Sequence, residues 1–195
     1  MTVSGTDRVL TRRRWTATAA VLALLLAAAG ASAPLRPAVL ARAVAVAHAI
    51  LAGQHGSTGP IPYSWGGGHG ERPGPSPGTC RGYTGAIRPC PAATTVGLDC
   101  SGLARWVYHL AHGRDVLGPG NTDDHLRRLT RVPASRARPG DLVFYGEIGE
   151  RRVRTHHVGV YIGDGRMINA LRTGTEVRID PITRVEDFAG YFRYR

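Results

Sequence analysis

Gly97-Leu98-Asp99-Cys100-Ser101-Gly102 runs straight into Leu103-Ala104-Arg105-Trp106-Val107-Tyr108-His109-Leu110-Ala111-His112-Gly113. In the second stretch Leu103, Trp106, Val107, Leu110 and Ala111 recur at helical spacing and mark one apolar face. Asp99 suits the free amides of a helix start, and Gly113 suits its end. The spacing predicts a helix over 101–112. Cys100 then stands at the helix N-terminus, where the dipole favours thiolate over thiol. A thiolate is a nucleophile, so the rest of the chain is read for a base that meets it.

Working outward, residues 37–54 carry Ala, Val, Ile and Leu at helical spacing and predict an earlier helix. Residues 56–70 form a Gly/Pro-rich loop holding Tyr63-Ser64-Trp65-Gly66-Gly67-Gly68. Turn residues continue through Pro73, Pro75, Pro77, Gly78, Pro89 and Pro91, which predicts an ordered surface insertion over 69–98. After the central helix, 117–135 reads as irregular with a short helix. Arg138-Pro139-Gly140-Asp141 is a turn leading into a strand over 142–145. Strands follow at 157–162 and 166–171 around a Gly163-Asp164-Gly165 turn, with shorter ones at 176–179 and 191–194. Helices first and antiparallel strands after make the fold class α+β.

The length of 195 residues supports one domain with a real core, and 43% hydrophobic with 20% charged residues is a globular composition. The net charge is +11, and every cation is arginine. Such a charge suits an anionic partner, including cell-wall polymers. The arginines are scattered, with no long basic helix and no aromatic interleaving, so nucleic acid is not an expected partner.

Arg8 and Arg12-Arg13-Arg14 precede an apolar run over 17–29 and then Ala29-Gly30-Ala31-Ser32-Ala33. This is the pattern of a secretory signal peptide over 1–33, cleaved near 31–33 and leaving a single domain over 34–195. Failed cleavage would leave the run as an anchor. With cleavage, the expectation is a secreted monomer without stable membrane association. Export implies an oxidising compartment, and three cysteines there point to one disulfide and one free thiol. Cys80 and Cys90 lie in the loop-like insertion and can close a small ring, which leaves Cys100 free. No Cys-x-x-Cys pair occurs, so no metal site is expected.

His156 and His157, at the start of a predicted strand, are the candidate bases, and Asn169 on the return strand is the candidate orienter. Together with Cys100 they make a thiol version of the catalytic triad. Strand parity bears on the choice. A plain two-residue Asp164-Gly165 turn pairs Val160 with Asn169 and puts Asn169 on the face of His156. A three-residue loop or a bulge pairs Tyr161 with Asn169 and puts it on the face of His157. Geometry alone leaves both open.

Tyr63-Ser64-Trp65-Gly66-Gly67, Asp99-Cys100-Ser101-Gly102, Arg138-Pro139-Gly140-Asp141-Leu142-Val143-Phe144 and His157-Val158-Gly159-Val160-Tyr161-Ile162-Gly163 resemble, in order, the signature blocks of the NlpC-type cell-wall cysteine peptidases. The resemblance implies a papain-like core, in which a Cys-bearing helix packs on an antiparallel sheet bearing His. It implies hydrolysis of peptidoglycan stem peptides, commonly after γ-D-glutamate, without metal or cofactor. By the same resemblance Cys100 is the nucleophile, His157 the base and Asn169 the third residue, a position more often His. Tyr63, Trp65, Asp99 and Ser101 then fall at the substrate cleft. An amidase or acyltransferase on the same core, and a non-catalytic wall-binding protein, are the alternatives. The resemblance favours His157, and so predicts a three-residue loop or a bulge at the hairpin. The 69–98 insertion is longer than the family pattern and bears on specificity.

Overall fold

Two apolar helices, α1 (Leu35–Leu51) and α2 (Cys100–His112), supply the helical layer. The computed structural model describes residues 1–2, 35–55, 59–150 and 152–195. The signal peptide expected over 1–33 lies, beyond its first two residues, outside the described residues. Asp99 caps α2 by accepting a hydrogen bond from the Gly102 amide at 2.7 Å, and Gly113 ends the helix in the left-handed conformation. The helix is buried on more than its apolar stripe. Arg105 is 1% exposed, pairs with Asp115 at 2.7 Å, and donates to the carbonyls of Gly68 (3.2 Å) and Gly70 (2.8 Å). A buried guanidinium needs such partners, and here they fasten the start of the insertion to α2.

The first turn of α2 lies against the glycine loop. A side chain on Gly102 would put its Cβ 2.2 Å from the Gly67 carbonyl oxygen, so only glycine fits. Tyr63 bridges to Leu98, and the amides of Ser64 and Asp99 bond to Leu98 and Gly67 at 3.0 Å each. The loop therefore runs beside the residues that lead into Cys100. We expect Gly102→Ala to lose about 1–3 kcal/mol in denaturant unfolding. Wild-type stability in that variant would contradict this packing.

The remaining elements are β1 (Ser76–Pro77) paired with β2 (Val96–Gly97), a short helix α3 (Thr122–Leu126), and strands β3 (Leu129–Val132), β4 (Leu142–Ile148), β5 (Val153–Gly163), β6 (Arg166–Ala170), β7 (Val177–Pro181) and β8 (Phe188–Tyr194). Strands β3 to β8 form one antiparallel sheet in the order β3-β8-β4-β5-β6-β7. Strand β3 falls inside the stretch read as irregular, and β5 starts four residues before its predicted start at 157. The main core lies between the helices and one sheet face, with Leu103, Val107, Phe144, Val158, Val160 and Ile168 at its centre. The other face carries a smaller cluster of Val143, Tyr145 and Met167. The Arg138–Asp141 turn is held by buried Asp141, which accepts from the Arg138 amide (2.8 Å) and both ends of the Arg193 fork (2.6 and 2.8 Å).

Two bulges set the register at the site. Tyr145 faces His157 and Gly146 faces Thr155, so His156 opposes nothing. At the hairpin, Gly163 faces Arg166 across a two-residue turn in which Asp164 and Gly165 both have positive φ. Ile162 is then extruded, and Val160 faces Ile168. The turn is thus the two-residue type followed by a bulge. The shift runs opposite to the expected pairing: Asn169 comes to lie opposite Gly159, not Tyr161. Parity is the same in either direction, so Asn169 shares a face with His157.

Candidate active site

Cys100 is the free cysteine of the described residues, since Cys80 and Cys90 are joined in a disulfide. It is only 9% exposed and sits between two lobes of a cleft. One lobe, of about 640 Å³, is lined by Tyr63, Trp65, His157, Arg172 and the insertion residues Tyr83 to Ile87. The other, of about 580 Å³, is lined by Trp65, His69, Asp99, Ser101, Asn121 and Thr155. His156 borders both lobes.

In the same lobe as the thiol, His157 is nearly buried, and its Nε2 lies 2.9 Å from Asn169 Oδ1. That leaves Nδ1 as the ring nitrogen free for another partner. Asn169, fully buried, donates from Nδ2 to Asp180 Oδ2 at 3.0 Å, and Asp180 Oδ1 pairs with Arg178 at 2.9 Å. His156, at the cleft rim, takes no part in this chain of bonds: it is half exposed, and its Nε2 stands 3.8 Å from Asp187.

Burial governs the electrostatics. It pushes the Cys100 thiol up to about 12, and the Asp99 carboxylate adds to the rise. The backbone amides of Val158, Ser101 and Cys100 pull the other way without overcoming it. Burial thus opposes the thiolate that a helix start favours. Burial lowers His157 to about 4, against the raising effect of the Asn169 hydrogen bond. Burial thus favours the neutral form of each partner. Passing the thiol proton to the imidazole conserves the charge of the pair, so the two suit a concerted transfer. Burial, then Cys100 and Asp99, hold the Tyr63 hydroxyl in its protonated form, able to donate.

Asp99 has a second duty besides capping. His69 Nε2 lies 2.9 and 3.0 Å from its two oxygens, and the Ser101 hydroxyl donates to Oδ1 at 2.9 Å. His69 thereby forms part of the cleft wall. Trp65 is held by its indole N–H to the Arg81 carbonyl (2.8 Å) and stacks edge-on with Tyr83, so the insertion shapes the cleft. No group of three or more metal-ligating side chains occurs among the described residues.

Residues 60–187 match the NlpC/P60 family, well over half of the chain. The chain belongs to the NlpC/P60 family. The α+β, papain-like fold expected from the sequence is that of its NlpC/P60 relatives. RipB of Mycobacterium tuberculosis, named a peptidoglycan endopeptidase, is 37% identical over 129 residues, covering 66% of this chain and 45% of RipB. This NlpC/P60 chain thus spans less than half of RipB's length. The P60 domain of antigen MAP1204 from M. avium subspecies paratuberculosis superposes with a TM-score of 0.57 at 29% identity, covering 80% of this chain and 96% of that domain. The solved chain of RipD from M. tuberculosis, described as a non-catalytic NlpC/p60 domain protein adapted to peptidoglycan binding, gives a TM-score of 0.51 at 29% identity over 82% of this chain and 96% of that chain. NlpC/P60 membership alone is compatible with a hydrolase or a binder, and the choice falls to the site.

Proposed function

We propose that this chain is a secreted cysteine endopeptidase that hydrolyses peptidoglycan stem peptides at the bond between γ-D-glutamate and the diamino acid. The observation that carries the reading is that Cys100 and His157 line one cleft, with Asn169 bonded to His157 from beneath it. A binding protein has no need of a nearly buried imidazole and a nearly buried thiol lining one cleft. The cleft leaves the thiol in two directions, so a peptide can continue on both sides of the cut bond, which supports internal cleavage. Arg172 offers a cation to a stem-peptide carboxylate in the larger lobe. Residues 1–33 direct export, the mature protein acts as a monomer, and its surplus of arginine holds it near anionic wall polymers.

As the Cys100 sulfur attacks the amide carbonyl carbon, its proton passes to His157 Nδ1. The oxyanion is received by the Cys100 backbone N–H at the helix start and the Tyr63 hydroxyl. His157 returns the proton to the leaving amine, and a thioester remains. Water, deprotonated by the same nitrogen, then releases the acid and the thiol. Digestion of defined muropeptides, with product masses read by mass spectrometry, tests the reading. Fragments ending in γ-D-glutamate are expected. Release of intact stem peptide from the sugar would mean an amidase instead. Wall binding without any released fragment would mean a binder.

A further inference from the structure

Asn169 presents two chemically opposite ends, an acceptor oxygen and a donor NH2, of nearly the same shape. Which end faces His157 decides what the histidine can do. If the oxygen faces it, Nε2 carries the hydrogen and Nδ1 keeps a lone pair for the thiol proton. If the NH2 faces it, Nε2 must accept, Nδ1 carries the hydrogen, and the ring is no longer a base towards Cys100. Nothing within Asn169 or His157 selects between these.

Asp180 makes the selection. It lies on β7 opposite Met167, on the same sheet face as Asn169 and His157, and is 3% exposed. One carboxylate oxygen is taken by Arg178 (2.9 Å), and the other stands 3.0 Å from Asn169 Nδ2. A carboxylate paired with a guanidinium has only lone pairs to offer, so the NH2 end of Asn169 must face it and the oxygen end must face His157. We propose that Asp180 is a positioning residue that fixes the Asn169 amide and through it the base tautomer of His157. The proposal rests on the reading of Cys100 and His157 as nucleophile and base.

The test uses near-isosteric variants, which keep the packing. In Asp180→Asn the amide at 180 can face Asn169 with either end, so the orientation is no longer imposed. We expect kcat/KM on muropeptides, and the rate of Cys100 alkylation by iodoacetamide at pH 7, to fall about tenfold or more. Adding Asn169→Asp should restore both to within a few-fold, because the carboxylate at 169 accepts from either neighbour. Asn169→Asp alone, with two carboxylates face to face, should give no gain. Wild-type rates in Asp180→Asn would overturn the proposal. So would a double variant no faster than Asp180→Asn, which would make Asp180 merely structural. Alkylation needs no substrate: if the wild type cleaves nothing but the alkylation pattern holds, the hydrolase reading fails while the positioning role stands.

Discussion

Cys100→Ala should abolish muropeptide cleavage, with kcat down by about 10⁴-fold or more, while the unfolding midpoint stays close to wild type. The first half follows from chemistry: alanine offers no atom that can form the thioester. The second half follows from packing. The side chain is small, at the edge of the core and bordered by the cleft, so removing the sulfur costs about 1 kcal/mol or less. The pairing of outcomes discriminates. A structural thiol would lower the midpoint and spare turnover, and retained turnover would sink the assignment. The disulfide between Cys80 and Cys90 leaves one alkylatable thiol among the described residues. Wild type should therefore take up one carbamidomethyl group and Cys100→Ala none, a control that requires no substrate. Pull-down on purified wall completes the comparison. A catalytically dead variant that still binds is expected, because the Arg172 lobe and the basic surface are unchanged.

The parts of this site legible in the sequence are those encoded locally. The apolar stripe of α2, its Asp99 cap and Gly113 stop lie within a few residues of Cys100. They place the thiol at a helix start without reference to anything distant. The hairpin parity is local too, but by itself it leaves His156 and His157 both open; the family resemblance favours His157, and a bulge lies at Ile162. What stayed hidden depends on long separations. His69 reaches Asp99 across thirty positions, and one loop histidine looks like any other. Asp180 sits in Val177-Arg178-Ile179-Asp180-Pro181, an ordinary alternating edge strand, and only the β6–β7 register sets it against Asn169. Strand β3, Leu-Thr-Arg-Val, has a weak period of its own and is fixed by pairing with β8 at the far end of the chain. The electrostatics of the thiol were also illegible, because a helix start favours the thiolate while burial, a property of the whole fold, works against it.

The adjacent histidines give the other large effect. His157→Ala should lower kcat/KM by about 10²–10⁴-fold and suppress iodoacetamide alkylation at neutral pH, whereas His156→Ala should stay within a few-fold of wild type. The asymmetry comes from the bulge at Tyr145/Gly146, which leaves His157 in the ladder opposite Tyr145 with its ring bonded to Asn169, and extrudes His156 towards solvent. Equal losses in the two variants, or a larger loss in His156→Ala, would reverse the assignment. Acid adds a second signature. Because burial holds His157 at about 4, the ring remains a competent base at pH 5, and the acid limb of kcat/KM should lie near 4, not near the ordinary 6.5. Stability should move in the same window. The unfolded chain binds the proton at about 6.5 and the folded one only near 4, so between those values the unfolded state carries more protons and acidification destabilises the fold. Buried His125, also lowered to about 4 by burial, contributes in the same direction. The slope of unfolding free energy against pH between 4 and 6.5 should therefore be shallower by about one proton in His157→Ala, with the His125 share remaining. An unchanged slope would mean that His157 titrates in the folded protein as it does in water, and with it would go the buried, neutral base on which the mechanism depends.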